Sequence, residues 1–326
     1  LFSLHRERFA EALIYILFLS LLFSCSGGES VVESEGFSVA WLIDQNLPGN
    51  RAMFNGAMVE AKEQGITLKL LHSGVAVSPV KVNQTDPSLR FFSSLSIGSG
   101  MDAVIIEPPS KDFLLWLIDT FPEPEVPVLI LHNDYLPNHL LPKGYIPLSG
   151  DHELGGRLAG AHLAALLSSK GDLHVSSSSP ENLSSEVSIR GFHSAISGHP
   201  EMRVVGIDYA FGSPEKALFQ TLSIIQLHPR LSGIYAPTVK EAEGVFQFLV
   251  DTGLLGSIRF ISRGYSPLLI DAMERGYLDG VVLQETEEAG KHIMKELFSY
   301  LKEDKSLSEQ IILPIELVTS VEQLLR

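Results

Sequence analysis

The chain has 326 residues, with 24 Lys and Arg against 39 Asp and Glu, a formal net charge of -15 and a single cysteine. With 45% hydrophobic and 19% charged residues there is ample apolar material for packed cores, which excludes wholesale disorder, and the length suggests about two domains. One cysteine excludes an internal disulfide and a cysteine-based zinc site, and an acidic chain without a Lys/Arg cluster has no counterion-release drive toward a phosphate backbone, so no nucleic acid is expected as a partner.

Residues 12–23 (ALIYILFLSLLF) form an uninterrupted apolar run behind Arg6 and Arg8. As a helix the run would rise only about 18 Å, short of a bilayer core of about 30 Å, and it reads as the apolar centre of a secretory signal peptide over residues 1–24. Arg6 and Arg8 balance Glu7 and Glu11, so the acidity belongs to the part that follows. Leu22-Phe23-Ser24-Cys25 resembles the bacterial lipobox, which makes Cys25 the expected lipidated first residue of the mature chain. Residues 26–36 (SGGESVVESEG) then read as a flexible polar tether.

From residue 37 the chain alternates short β-branched runs with helical patterns, the rhythm of parallel sheets covered by helices. Strands are expected at 37–43, 67–72, 103–107 and 128–132. Between them Met53, Phe54, Ala57, Met58 and Ala61 recur at helical spacing ahead of Gly65, and residues 111–121 form an apolar helix stopped by Pro122. The rhythm restarts with a strand at 145–149 and a helix at 153–169. Strands at 172–176, 203–209, 233–236, 259–261 and 280–283 then alternate with helices at 184–197, 214–227, 239–252, 266–275 and 285–303, and residues 311–318 are expected as one last strand. The expected fold is α/β, two Rossmann-like lobes with parallel sheets and a cleft between the carboxyl ends of their strands.

Several chemical motifs fail on their context. Gly98-Ser99-Gly100 precedes a strand, whereas a dinucleotide-binding loop must follow one, so it reads as a turn. Ser213-Pro214-Glu215-Lys216 has the S-x-x-K spacing of a penicillin-recognising nucleophile, but Ser as N-cap, Pro at the first helical position and Glu in the first turn explain it as a helix start. Eleven histidines occur without a ligand pair, and neither a nucleophile elbow nor a Walker loop is present. Trp41 and Trp116 lie in apolar runs and are expected in the core. The run 176–179 reads as a polar loop after a strand, of the kind that can line a cleft. No enzyme activity, cofactor or metal is expected.

The order of the marks resembles the type I periplasmic binding proteins, the family of ribose-binding and related sugar-binding proteins that also supplies the ligand domain of lactose-repressor-like regulators. The likeness runs from about Phe37 to Leu325. It rests on Glu63-Gln64-Gly65, Gly100-Met101-Asp102-Ala103 with Pro108, Val126-Pro127-Val128, residues 150–156 (GDHELGG), Arg190-Gly191-Phe192 and residues 284–290 (QETEEAG). The resemblance implies a hinge of three crossovers, near Gly150, Gln284 and Pro314, with residues 37–150 plus 285–313 as the N-terminal lobe and 151–284 plus 314–326 as the C-terminal lobe. It places Asp44, Gln45 and Asn46 in a ligand-contacting loop and Gln284 at the family's polar hinge contact. At other contact positions the chain departs from the family, with His132 and Asn133 in place of an Asp-Arg pair, Ser188 in place of an Arg, Thr238 in place of an Asn and Gly264 in place of an Asp. Arg263, just past an expected strand end, is added as a ligand-facing cation.

By this resemblance the chain is expected to be a lipid-anchored solute-binding protein of the bacterial periplasm or cell surface that captures a small polar, sugar-like ligand and delivers it to the permease of an ABC importer. The alternative is a sensory protein that signals its ligand state to a membrane kinase or receptor. A transcription regulator is disfavoured, because a signal segment stands where a DNA-binding headpiece would be.

Overall fold

The computed structural model describes residues 36–43, 48–72, 100–108, 110–131, 136–284, 286–303 and 309–324. The chain begins with β1 (Ser38–Ile43), α1 (Pro48–Gln64), β2 (Thr67–His72), β3 (Ala103–Ile106), α2 (Lys111–Thr120), β4 (Val128–Leu131), a short 3-10 turn at Asn138–Leu140 and β5 (Tyr145–Gly150). It continues through α3 (His152–Leu166), β6 (Lys170–Ser177), α4 (Leu183–Ile196), β7 (Glu201–Tyr209), α5 (Pro214–Leu227), β8 (Leu231–Ala236) and α6 (Val239–Thr252). The remainder is β9 (Arg259–Arg263), α7 (Pro267–Glu274), β10 (Gly280–Leu283), α8 (Glu287–Glu303), β11 (Ile311–Leu313), β12 (Glu316–Val318) and α9 (Val321–Leu324).

The strands form two six-stranded sheets, in the orders β11-β5-β4-β3-β1-β2 and β12-β10-β9-β8-β6-β7. Neighbours are parallel except β10 and β12, so the α/β class with two parallel-dominated sheets holds. Strands such as β3 (AVII) and β4 (VLIL) are buried along their whole length, as strands covered by helices on both faces require. Trp41 is fully buried in β1, and Trp116 packs at the edge of the core between α2 and the sheet.

The two sheets repeat one winding pattern, and in each the strand order reverses once, between β1 and β3 and between β6 and β8. The chain passes from one sheet to the other after β5, after β10 and between β11 and β12. Residues 311–318, expected as a single strand, are two strands in different sheets. Pro314, which has no N–H to give a ladder, separates β11, parallel to β5, from β12, antiparallel to β10. β12 enters beside the carboxyl end of β10, with Glu316 opposite Leu283, and runs back from there.

Local rules explain most element ends. Ser213 accepts from the Lys216 N–H with Pro at the first helical position, the cap read from its sequence. Asn182 caps α4 through the Ser185 N–H, and Asp151 caps α3 through the Leu154 N–H. The helix expected to run to 169 stops at Leu166, because Ser168 and Ser169 adopt left-handed backbone with φ of 51° and 59°.

Two helix pairs approach so closely that only glycine fits. In the first, a Cβ on Gly56 of α1 would lie 1.9 Å from the Glu287 carbonyl oxygen, and one on Gly290 of α8 would lie 1.8 Å from that of Met53. In the second, a Cβ on Gly156 of α3 would lie 1.8 Å from the Ser188 carbonyl oxygen, and one on Gly191 of α4 would lie 2.0 Å from that of Glu153. Each pair joins a helix that follows a crossing between sheets (α8, α3) to a helix that follows the first strand of its sheet (α1, α4).

Gly156→Ala is expected to lower the unfolding free energy by about 3 kcal/mol in urea titration, since backbone must move to admit one methyl. Gly198→Ala, whose methyl would find only the Ala195 carbonyl oxygen at 3.8 Å, is expected to be neutral. Equal effects at the two positions would show that the glycine contact does not hold the pair.

Candidate functional site

In an open α/β sheet ligands bind outside the carboxyl ends of the strands, at the point where the winding reverses. Here all three crossings also leave or enter at those carboxyl ends, so the crevices of the two sheets adjoin the hinge. Asp44, Gln45, Asn46, His132 and Asn133, expected from the first sheet's crevice, lie outside the described residues, as does Cys25. Ser188, Thr238, Arg263 and Gln284 are described, and they belong to the second sheet and its helices.

Gln284 follows β10 at the second crossing and is 8% exposed. Its Oε1 accepts the Gly150 N–H at 3.1 Å, which ties the second crossing to the first. The space at Gly150 is shared with both other crossings, because a Cβ there would lie 2.5 Å from Gln284 Oε1 and 2.6 Å from Ile315 Cδ1. The side-chain amide nitrogen of Gln284 is buried and has no hydrogen-bond partner among the described residues. A buried amide with one half satisfied has room for one more acceptor.

Thr238 stands at the start of α6, beside the β6/β8 reversal. Its hydroxyl donates to the carboxylate of Glu241, which is fully buried and also accepts the Gly212 N–H at 2.7 Å. Glu241 therefore fixes the loop after β8 against the loop after β7. It is absent from the residues proposed on sequence, although Thr238-x-x-Glu241 is a capping-box spacing that could have marked it.

Ser188 is fully buried inside the α3/α4 pair, and its hydroxyl shares a 2.7 Å hydrogen bond with Tyr235 of β8. Burial pushes the Tyr235 phenol above its ordinary value of 10, so it stays neutral and can donate. Phe192 stacks on the same ring, centroids 4.9 Å apart at 17°. This assembly is a floor under the crevice and not part of its open surface.

Arg263 ends β9, in register with Val282 two residues before Gln284. It is half-buried, and its guanidinium reaches the first turns of two helices. Nη2 donates to Ser184 Oγ at 2.8 Å, and Nη1 donates to the Ser184 carbonyl oxygen and to His152 Nδ1, both at 3.2 Å. The pairing with Asp or Glu that an ordinary surface arginine would make is not found among the described residues. Ser184 Oγ in turn donates to Asn182 Oδ1, the cap of α4.

Of the serine run, Ser176 lies in the strand, as expected for 172–176, and Ser177 also belongs to β6 and not to the loop expected for it. They are fully buried, and the hydroxyls of Ser176, Ser177, Ser178 and Ser185 have no partner among the described residues where β6 ends and α4 begins. Among the described residues no group of three or more His, Cys, Asp or Glu is placed to hold a metal ion. What the described half of the site offers is hydrogen-bond donors on rigid elements, with no paired nucleophile and base.

A family described as periplasmic binding protein domain matches residues 43–305. Among curated proteins no sequence match is found. An arabinose-binding protein from Geobacillus stearothermophilus superimposes with a TM-score of 0.72 at 17% identity, over 89% of this chain and 98% of its own. A glucose-galactose binding protein from the same organism gives 0.65 at 18% identity, over 88% and 98%. An ABC transporter periplasmic solute-binding protein from Actinobacillus succinogenes, with bound D-allose, gives 0.66 at 19% identity, over 88% and 99%.

Gln284→Ala is expected to lower the unfolding free energy by about 1 to 3 kcal/mol in urea titration, because it strands the Gly150 N–H in a buried position. Wild-type stability in this variant would show that the crossings are not tied at this point.

Proposed function

We propose that the chain, which belongs to the periplasmic binding protein family by its match over residues 43–305, is a solute-binding lipoprotein that takes a small, hydroxyl-rich ligand between its two lobes. The observation that carries this reading is Gln284, a buried hinge amide with its donor half unused among the described residues, beside the carboxyl ends of both sheets. The sugars bound by structural neighbours of the same fold, D-allose among them, support a sugar-like solute.

In this reading residues 37–150 plus 285–313 form one lobe and 151–284 plus 314–326 the other. Asp44, Gln45, Asn46, His132 and Asn133 contact the ligand from the first lobe. Thr238, Arg263 and Gln284 contact it from the second lobe and the hinge, and Ser188 acts from beneath by holding the Tyr235 hydroxyl. The protein binds and releases its ligand without chemistry. Cys25 carries the lipid that keeps it at the bacterial membrane surface, where the closed form meets the permease of an ABC importer.

A thermal-shift screen against sugars, polyols, nucleosides and amino acids tests solute binding directly. A ligand at about 100 times its dissociation constant is expected to stabilise the protein by about 2.7 kcal/mol, a clear rise in melting temperature. Absence of stabilisation by every class would contradict the reading.

A further inference from the structure

Arg263 is half-buried and differs in what neutralises it from four arginines of its half of the chain, whereas Arg190 and Arg230, which make no ion pair among the described residues, are exposed to water. Arg157, Arg203, Arg259 and Arg275 each lie 2.6 to 2.9 Å from a carboxylate. Arg263 is half-buried at the carboxyl end of β9 and has no carboxylate partner among the described residues; its bonds go to a hydroxyl, a carbonyl oxygen and an imidazole nitrogen. Because a guanidinium only donates, His152 Nδ1 is the acceptor, so this ring does not add a second positive charge at that atom. A partly desolvated cation without a counter-ion is unfavourable unless an anion completes it.

The setting fits an incoming anion. Ser184, itself locked to Asn182 at the cap of α4, and His152, in the first turn of α3, hold the guanidinium by its two terminal nitrogens. The Nε–H and one terminal N–H take no part in these bonds, which leaves donors for a carboxylate. The neighbouring Ser185 is fully buried, with a hydroxyl that has no partner among the described residues, and the N-termini of α3 and α4 favour negative charge there. One guanidinium, in a chain of net charge -15, suits a single carboxylate better than a phosphate dianion.

We infer that the ligand of this cleft bears one carboxylate, as an acidic sugar of the uronate or aldonate type does, and that Arg263 is its counter-ion. This rests on the solute-binding reading and narrows it.

Titration calorimetry on matched pairs tests it: galacturonate against galactose, glucuronate against glucose, gluconate against sorbitol. At least one acid is expected to bind about tenfold or more tightly than its neutral twin, a preference lost in Arg263→Gln and reduced in Ser184→Ala, which frees the guanidinium. Arg263→Lys keeps the charge without the planar fork and is expected to fall between wild type and Arg263→Gln; it serves as the informative variant if Arg263→Gln melts early. Neutral twins binding as tightly as the acids, or any solute other than an acid binding with unchanged affinity in Arg263→Lys and Ser184→Ala, would overturn the inference and leave solute binding standing. Absence of binding by any compound of the wider screen would overturn both.

Discussion

The structure turns on a meeting of three chain segments at one glycine. Gly150 closes the first crossing between sheets, gives its N–H to Gln284 at the second and packs against Ile315 at the third. No larger residue has room there, so the crossings pass within van der Waals distance of one another. A second tie, from the Gln310 side-chain amide to the Ser149 hydroxyl, joins the segment before the third crossing to the segment before the first. Few backbone torsions separate the two sheets at this point, and any change in their relative placement has to be absorbed by them.

What reaches the ligand crevice from this point is transmitted by the glycine-locked helix pairs. α3 begins directly after Gly150 and lies backbone to backbone on α4, whose first turn holds Asn182, Ser184 and the grip on Arg263. α8 begins just after the second crossing and lies in the same manner on α1, the helix after the first strand. The second sheet repeats the winding of the first, and the second helix pair repeats the first. In both, packing this close leaves little play between crossing and crevice.

The fold was largely legible because its signals are local. Runs such as residues 103–106 and 128–131 read as covered strands without knowledge of their neighbours, and the Ser213-Pro214 start of α5 follows from capping alone. The polar hinge position of Gln284 was legible through resemblance. What stayed hidden depends on partners distant in sequence. That residues 311–318 split between two sheets is decided by β5 and β10, over a hundred residues and some thirty residues away, with only Pro314 as a local hint. Glu241 looks like an ordinary first-turn carboxylate until the Gly212 N–H is seen to sit on it. In sequence Arg263 is not distinguished from an ordinary ion-pairing arginine, and only the neutral acceptors at Ser184 and His152 separate it from Arg259, four residues earlier, which pairs with Asp279.

In the function proposed above, these tied crossings are the hinge on which two lobes close over a bound solute. Small-angle X-ray scattering of the soluble chain, alone and saturated with a compound that stabilises it, tests that claim most directly. The complex is expected to have a smaller radius of gyration, with the scattering of a more compact particle; an unchanged radius at saturation would contradict hinge closure.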